Sequence, residues 1–309
     1  MAMQVLAGKS HPTFSELVGK HLGRASTDLP GISSSRFSNG ETNVVIERSV
    51  RDADVFIIQT ASEPVNDMLM ELIIAINACK IASARRITAV LPCFPYARQD
   101  KKDRSRAPIT AKVVANMLES AGCHHVITMD LHASQIQGFF NIPVDNLFAE
   151  TAMIDYIKQT MSLDDVVIVS PDVGGARRAA IMADKLRVDL ALIHKERKVA
   201  NQVSRMILVG SVADKRAIIV DDIADTCGTL ALAASVCIEH GARSCSALVT
   251  HAFLSGGAIG RITDSSLDTL VVANTLPLSE AAKHCPKIRS LDVSPIIAEA
   301  IRRTHNSES

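Results

Sequence analysis

Tryptophan is absent from the chain, and tyrosine occurs twice and phenylalanine eight times among 309 residues. A surface that stacks nucleic-acid bases needs aromatic side chains, so the shortage speaks against one and implies an aliphatic, alanine-rich core. An excess of positive charge is also missing, since Lys plus Arg and Asp plus Glu both total 33. Proteins that live on nucleic acid or on an anionic membrane carry such an excess, so neither is an expected partner. The seven cysteines, Cys79, Cys93, Cys123, Cys227, Cys237, Cys245 and Cys285, form no C-x-x-C pair. Their odd number suits neither a zinc site nor a disulfide framework, and a reducing, cytoplasmic setting follows. The opening MAMQVLAGKSH lacks a basic segment followed by a sustained apolar run, so no signal peptide is expected. Even the most apolar stretch, residues 68–84, is broken by Glu71, Asn77 and Lys80, which does not suit a membrane span. No G-x-x-x-x-G-K-[ST], G-x-S-x-G or H-E-x-x-H sequence occurs, so a P-loop kinase, a nucleophile elbow and a zinc protease helix find no support.

What the chain does contain is an ordinary globular balance, 47% hydrophobic and 21% charged, at a length that favours two domains. Short aliphatic runs alternate with longer amphipathic ones. Val55 to Ile58, Arg86 to Leu91, His125 to Met129, Val166 to Val169, Val188 to Ile193 and Ala217 to Val220 read as strands. A helix is expected from Asn66 or Asp67, with Leu69, Leu72, Ile73 and Ile76 on one face. Another, capped by Thr110 and stopped by Gly122, carries Val113, Val114, Met117 and Leu118. An Ala-rich helix runs to about Lys185, a further one begins near Thr229, and Ser294-Pro295 opens the last. Alternation of this kind predicts an α/β fold with mainly parallel sheets, in two similar domains that meet near residues 147–150.

Four stretches carry chemistry. In VDDIADTCGT (220–229) a buried strand ends in Asp221 and Asp222, and a short loop with Asp225, Thr226, Cys227, Gly228 and Thr229 opens a helix. A helix start offers N–H groups and a positive dipole end to a phosphate, while the acid pair can accept hydrogen bonds from sugar hydroxyls. Such a combination suits a sugar phosphate, with Mg²⁺ to offset repulsion. An ordinary turn with Asp as N-cap is the plainer alternative, but three Asp within five residues exceed what capping needs.

Residues 94–108, FPYARQDKKDRSRAP, hold five cations and two Asp between a strand and a Pro-initiated helix. They predict an exposed, mobile loop able to close over a polyphosphate, although charge alone fits a solvated face as well. Lys195-Glu196-Arg197-Lys198 follows directly on a strand, where open α/β sheets bind ligands, and its cations could stabilise a transferring phosphoryl group. Asp130 and His132 in MDLHAS, and Asp172 in SPDVGG, stand at further strand ends. Each acid fits either a metal–nucleotide contact or a simple turn.

Together these stretches resemble the ribose-phosphate diphosphokinase (phosphoribosyl pyrophosphate synthetase) family, of the phosphate-activated class I type. The resemblance runs from RFSNGE at Arg36 to RRTHN at Asn306, and VLPCFPYARQDKKDRSRAPI, TMDLHASQIQGFF, HKERK and VDDIADTCGT occur in family order. Cys227, where bacterial members often carry Gly, suggests a eukaryotic source. The resemblance implies two phosphoribosyltransferase-like (Rossmann-like) domains. Residues 1–148, with 304–309 packing back on them, would form the ATP side, and residues 149–303 the ribose 5-phosphate side. It implies transfer of the β,γ-diphosphoryl group of Mg-ATP to the 1-hydroxyl of ribose 5-phosphate.

In that reading Lys195, Arg197 and Arg98 stabilise the transition state. Phe37, Asn39 and Glu41 reach the adenine from a neighbouring subunit, and Arg98, Gln99, Asp103 and His132 complete the ATP site. Asp130, His132 and Asp172 accompany Mg²⁺. Asp221, Asp222, Asp225, Thr226, Cys227, Gly228 and Thr229 hold ribose 5-phosphate. Inorganic phosphate would activate and ADP inhibit at Arg51, Lys102, Ser105, Arg106, Ser134, Gln137, Asp145 and Asn146. A homohexamer built from dimers, together with synthetase-associated homologues, would be the protein partners. Two departures stand out: Asn141 replaces the Asp usual in GFFDIP, and the chain stops at Ser309, short of the tail that relatives carry. The rival reading is a catalytically silent synthetase-associated subunit. Such proteins carry insertions in the basic loop, and residues 95–108 carry none.

Overall fold

The computed structural model describes residues 2–24, 31–196 and 205–308. The chain divides into two units, one of Met1–Phe148, Thr275–Pro277 and Val293–Ser309, the other of Ala149–Asn274 and Leu278–Asp292.

In the first unit a five-stranded sheet runs β1 (Met3–Ala7), β4 (Asp54–Ile58), β5 (Arg86–Leu91), β6 (His125–Met129) and β7 (Val144–Leu147). Every pairing in it is parallel. Parallel strands are covered on both faces, which is why β4 and β5 read as unbroken aliphatic runs: Val55, Phe56, Ile57, Ile87, Ala89 and Val90 are fully buried. The crossovers carry α1 (Pro12–His21), α2 (Val65–Ile81) and α3 (Thr110–Ala121). Helix α2 buries Leu69, Leu72 and Ile76 of the stripe its spacing predicts and leaves Ile73 half-buried. Helix α3 stops at Gly122, whose φ of 116° is cheap only for glycine. Its start differs from expectation: Thr110 is the first helical residue behind Ile109, and no side chain caps the helix. The Thr110 hydroxyl is bonded instead to the side-chain oxygen of Gln99. Strands β2 (Ile32–Arg36) and β3 (Thr42–Ile46) form a separate antiparallel hairpin.

The second unit is built on seven strands in the order β10 (Arg205–Val209), β9 (Asp189–Glu196), β8 (Val166–Ser170), β11 (Arg216–Ala224), β12 (Ser244–Ala252), β13 (Thr269–Ala273) and β14 (Ile288–Leu291). All neighbours are parallel except β10, which pairs antiparallel with β9. Helices α4 (Glu150–Thr160), α5 (Ala176–Leu186), α6 (Gly228–Glu239), α7 (Ala258–Asp264) and α8 (Glu280–His284) complete it. Alternate residues of β11 and β12 (Ala217, Ile219, Cys245, Ala247, Val249) share one core with Leu230, Ala233, Ala234 and Cys237 of α6. The alternating pattern thus produces the mainly parallel α/β class in both units, but their strand orders differ. The first sheet adds strands in one direction. The second grows from β8 toward β10 and then reverses to β11.

Two further boundaries depart from the sequence reading. Lys195 and Glu196 do not follow β9 but form its end, opposite Met206 and Arg205 of β10. The C-terminal segment assigned to the first unit is 293–309, including α9 (Ser294–Asn306), where 304–309 is expected, and Thr275–Pro277 joins it. Helix α9 buries Ile297, Ala298 and Ile301 and packs on α1. Its last turn is tied down by charge. His305 Nδ1 lies 2.8 Å from Asp54 Oδ2, and Arg86 donates both to the Thr304 carbonyl (2.8 Å) and, through Nε, to Asp54 Oδ1 (2.8 Å).

Candidate active site

In open α/β sheets, ligands bind outside the carboxyl ends of the strands where the strand order reverses. In the second unit that point lies between β8 and β11. The two strands part there: pairing of β11 with β8 ends at Ile219 opposite Val169, whereas pairing with β12 continues to Ala224 opposite Ala252. Asp221 and Asp222 therefore lie within β11, on the stretch that outlasts its β8 neighbour.

The chain leaving β8 turns beside them. Ser170 Oγ donates to the Asp172 carbonyl (2.7 Å), and Asp172 Oδ1 accepts the Gly175 N–H (3.0 Å). A side chain at Gly175 would crowd Ser170 Oγ at 3.0 Å, so glycine lets this turn fold back closely on the end of β8. Burial and the neighbouring charges of Asp222 and Asp172 push the Asp221 carboxyl up to about 8. Three acids share one pocket of negative potential, a natural place for a cation or for sugar hydroxyls. Among the described residues no three His, Cys, Asp or Glu side chains form a ready metal cage. Mg²⁺ does not need one, because it takes one or two carboxylates and fills its octahedron with water and substrate phosphates.

Beyond Ala224 the chain is pinned before it turns. Its carbonyl accepts Phe253 N–H (2.9 Å), and the Asp225 carbonyl accepts Ser255 N–H (3.0 Å). Cys227 adopts a left-handed conformation (φ 60°), is buried, and passes directly into α6 at Gly228 with no side chain capping the helix. Thr226, Gly228 and Thr229 are exposed, and a side chain at Gly228 would meet nothing within 4 Å. This arrangement presents an open helix start to an anion. Burial and Asp225 push the Cys227 thiol up to about 11, which keeps it protonated. One residue the sequence reading passed over also reaches this loop. Arg261 of α7 donates from Nη1 to the Thr226 carbonyl (2.8 Å). Its partner lies 35 residues away on another element, and no local pattern announces it.

The first unit gathers the other expected residues at its own strand ends. Asp130 follows β6 with φ 41°, is buried, and donates its N–H to the Leu147 carbonyl (2.8 Å). His132, two residues on, is exposed. The basic loop after β5 is held at its root, where Gln99 N–H donates to the Tyr96 carbonyl (2.9 Å) and the Gln99 carbonyl accepts from Ala111 (3.1 Å). Arg98 and Gln99 are exposed, and so is all of 101–106, including Lys102, Asp103, Ser105 and Arg106. Phe37, Asn39 and Glu41 form the tip of the β2–β3 hairpin. Phe37 N–H donates to the Glu41 carbonyl (3.0 Å), Asn39 Oδ1 accepts the Glu41 N–H (3.1 Å), and Phe37 is 56% exposed.

Of the expected regulatory residues, four gather around β6 and β7. Gln137 Nε2 donates to the Ser134 carbonyl (3.0 Å), Asn146 Oδ1 accepts the Leu131 N–H (3.0 Å), and Asp145 lies 3.1 Å from His125 Nε2. Arg51 is not with them. It precedes the amino end of β4, whereas Ser134 follows the carboxyl end of β6 in the same parallel sheet. Lys195 lies on β9, and Arg197 falls outside the described residues.

Comparison with known proteins settles the kinship. Residues 3–122 match the family model for the N-terminal domain of ribose phosphate pyrophosphokinase, and residues 199–309 match that of the phosphoribosyl synthetase-associated domain. Over 310 aligned residues the chain is 57% identical to ribose-phosphate pyrophosphokinase 2 of Schizosaccharomyces pombe (strain 972 / ATCC 24843), covering 100% of this chain and 96% of that protein. The chain belongs to the ribose-phosphate pyrophosphokinase family. Its fold agrees: the crystal structure of phosphoribosylpyrophosphate synthetase from Mycobacterium smegmatis superposes with a TM-score of 0.93 at 40% identity, covering 99% of this chain and 100% of that one. Every strand end described above thus belongs to a pyrophosphokinase scaffold matched along its whole length.

Proposed function

We infer that the chain transfers the β,γ-diphosphoryl group of ATP to the 1-hydroxyl of ribose 5-phosphate, giving 5-phosphoribosyl 1-diphosphate and AMP for nucleotide synthesis. The observation that carries this reading is the 57% identity, over the full length of the chain, to a ribose-phosphate pyrophosphokinase.

In this reading the 5-phosphate rests on the open start of α6, held by Asp225, Thr226, Cys227, Gly228 and Thr229. Asp221 and Asp222 accept hydrogen bonds from the ribose hydroxyls and turn the 1-hydroxyl toward the nucleotide. Phe37, Asn39 and Glu41 at the hairpin tip take the adenine of a neighbouring copy, while Arg98, Gln99, Asp103 and His132 hold the triphosphate. Asp130, His132 and Asp172 would hold Mg²⁺, which when bound neutralises phosphate charge. The displacement is in line: the sugar oxygen bonds to the β-phosphorus as the bond to the α-phosphate oxygen breaks and AMP leaves. Little covalent work remains for the protein, so positioning and charge dominate. Arg98, Lys195 and Arg197 supply that charge.

The same reading extends to regulation and setting. Inorganic phosphate activates and ADP inhibits at a site that joins Arg51 to Lys102, Ser105, Arg106, Ser134, Gln137, Asp145 and Asn146. Their separation within one chain supports a site shared between copies, as in a homohexamer built from dimers. The cytoplasm is the compartment. Among the described residues no helix is long and apolar enough to cross a membrane.

Phosphorus NMR of the purified chain with Mg-ATP and ribose 5-phosphate tests the reaction, with inorganic phosphate absent and then present. AMP and phosphoribosyl pyrophosphate should appear together. A folded sample that yields no AMP under either condition would overturn the assignment in favour of a silent synthetase-associated subunit.

A further inference from the structure

The turn before α6 is not self-supporting. Cys227 is a non-glycine residue in the left-handed region, and no side chain caps the helix that follows. A left-handed residue followed by right-handed helix turns successive N–H groups into one concavity, the backbone arrangement that binds anions. Which way the first of those N–H groups points depends on a single peptide plane, the one joining Thr226 to Cys227. In a trans peptide the carbonyl and the N–H point to opposite sides, so whatever grips the Thr226 oxygen also aims the Cys227 N–H. The Arg261 guanidinium grips it, at 2.8 Å.

The surroundings suit that task. Arg261 stands in the last turn of the short helix α7, its N–H bonded to the Gly257 carbonyl (3.1 Å). A Cβ at Gly257 would stand 3.8 Å from the guanidinium, in ordinary contact with it, so the arginine reaches back to the loop close along the start of its own helix.

We propose that Arg261 is a positioning residue for the sugar-phosphate cradle, which fixes the Thr226–Cys227 peptide so that the Cys227 N–H faces the 5-phosphate. The proposal rests on the assignment of residues 225–229 to ribose 5-phosphate. It requires that loss of the guanidinium weaken phosphate recognition and leave the nucleotide side alone.

Isothermal titration with ribose 5-phosphate and with ribose, on wild type, Arg261→Met and Arg261→Lys, tests it alongside steady-state kinetics. Arg261→Met should raise the Kd and KM for ribose 5-phosphate about tenfold, with the loss falling on KM rather than kcat and the KM for ATP held. Arg261→Lys, which keeps a charged donor, should recover most of the affinity, and ribose without its phosphate should not distinguish the three proteins. A wild-type isotherm matched by Arg261→Met overturns the proposal alone. So does a uniform loss across both substrates that lysine fails to rescue. No binding of ribose 5-phosphate to wild type overturns the cradle assignment, and the proposal with it.

Discussion

Asn141 gives both its donors to one carboxylate: its backbone N–H reaches Glu119 Oε1 at 2.6 Å and its side-chain amide reaches Oε2 at 2.9 Å. The family's more usual Asp at this position has no amide to donate and would set two carboxylates against each other. Asn141→Asp should therefore destabilise the chain by roughly 1 kcal/mol at pH 7. Thermal unfolding at pH 4, where a carboxyl carries its proton part of the time, should recover much of the loss. An unchanged Tm at both pH values would show that the pair contributes nothing.

Asp54 is wholly buried and shares its two oxygens between Arg86 and His305. Its hydrogen bond and charge hold the Arg86 guanidinium above its ordinary range. Arg86→Met would leave a buried carboxylate without its strong partner, and such losses cost about 3 kcal/mol or more. His305→Ala removes the weaker partner and should cost about 1 kcal/mol. Urea denaturation of both variants checks the ranking.

Stability near the acid trio should depend on pH in an unusual direction. The Asp221 carboxyl keeps its proton up to about 8 in the folded chain, against 3.8 ordinarily. Between those values the folded state binds more protons than the unfolded state, so this residue withdraws stability as pH rises through the window. The Tm advantage of Asp221→Asn over wild type should grow from pH 5 to pH 8 and shrink when Mg²⁺ is added. A gap that stays constant with pH would rule out titration of Asp221 in that window.

Lys195→Ala should lower kcat by about 100-fold or more while Tm stays within the error of measurement. Near-normal turnover would remove this residue from the catalytic set.

Residues 101–106 offer trypsin four exposed basic sites, Lys101, Lys102, Arg104 and Arg106, beyond a root held by Gln99. With Mg-ATP and ribose 5-phosphate bound, cleavage there should slow as the loop closes. Equal rates with and without substrates would contradict closure.

Where periodicity and punctuation act locally, the fold was legible. Strands β5 and β6 begin and end where their aliphatic runs do, and Gly122 ends α3 through its own backbone. What escaped is what distant partners decide. Thr110 has the chemistry of a cap, but Gln99 takes its hydroxyl. Lys195 and Glu196 look like residues leaving a strand until β10 pairs with them. At the site, the acids and the Thr-Cys-Gly turn announce themselves by type and spacing. Arg261 does not, because its role lies in reaching a carbonyl 35 residues back.

The return of 293–309 to the first unit also sets an order of events in the cell. Translation joins the last residue of the second unit before any of α9 exists, so that unit's sequence is the first to be complete. The earlier-made unit must wait. The Asp54 carboxylate, fully buried once folding is complete, has no His305 to meet until the last few residues are joined. A chain cut short by a stop just after Asp292 would therefore lack a finished first half while the sequence of its second half was whole.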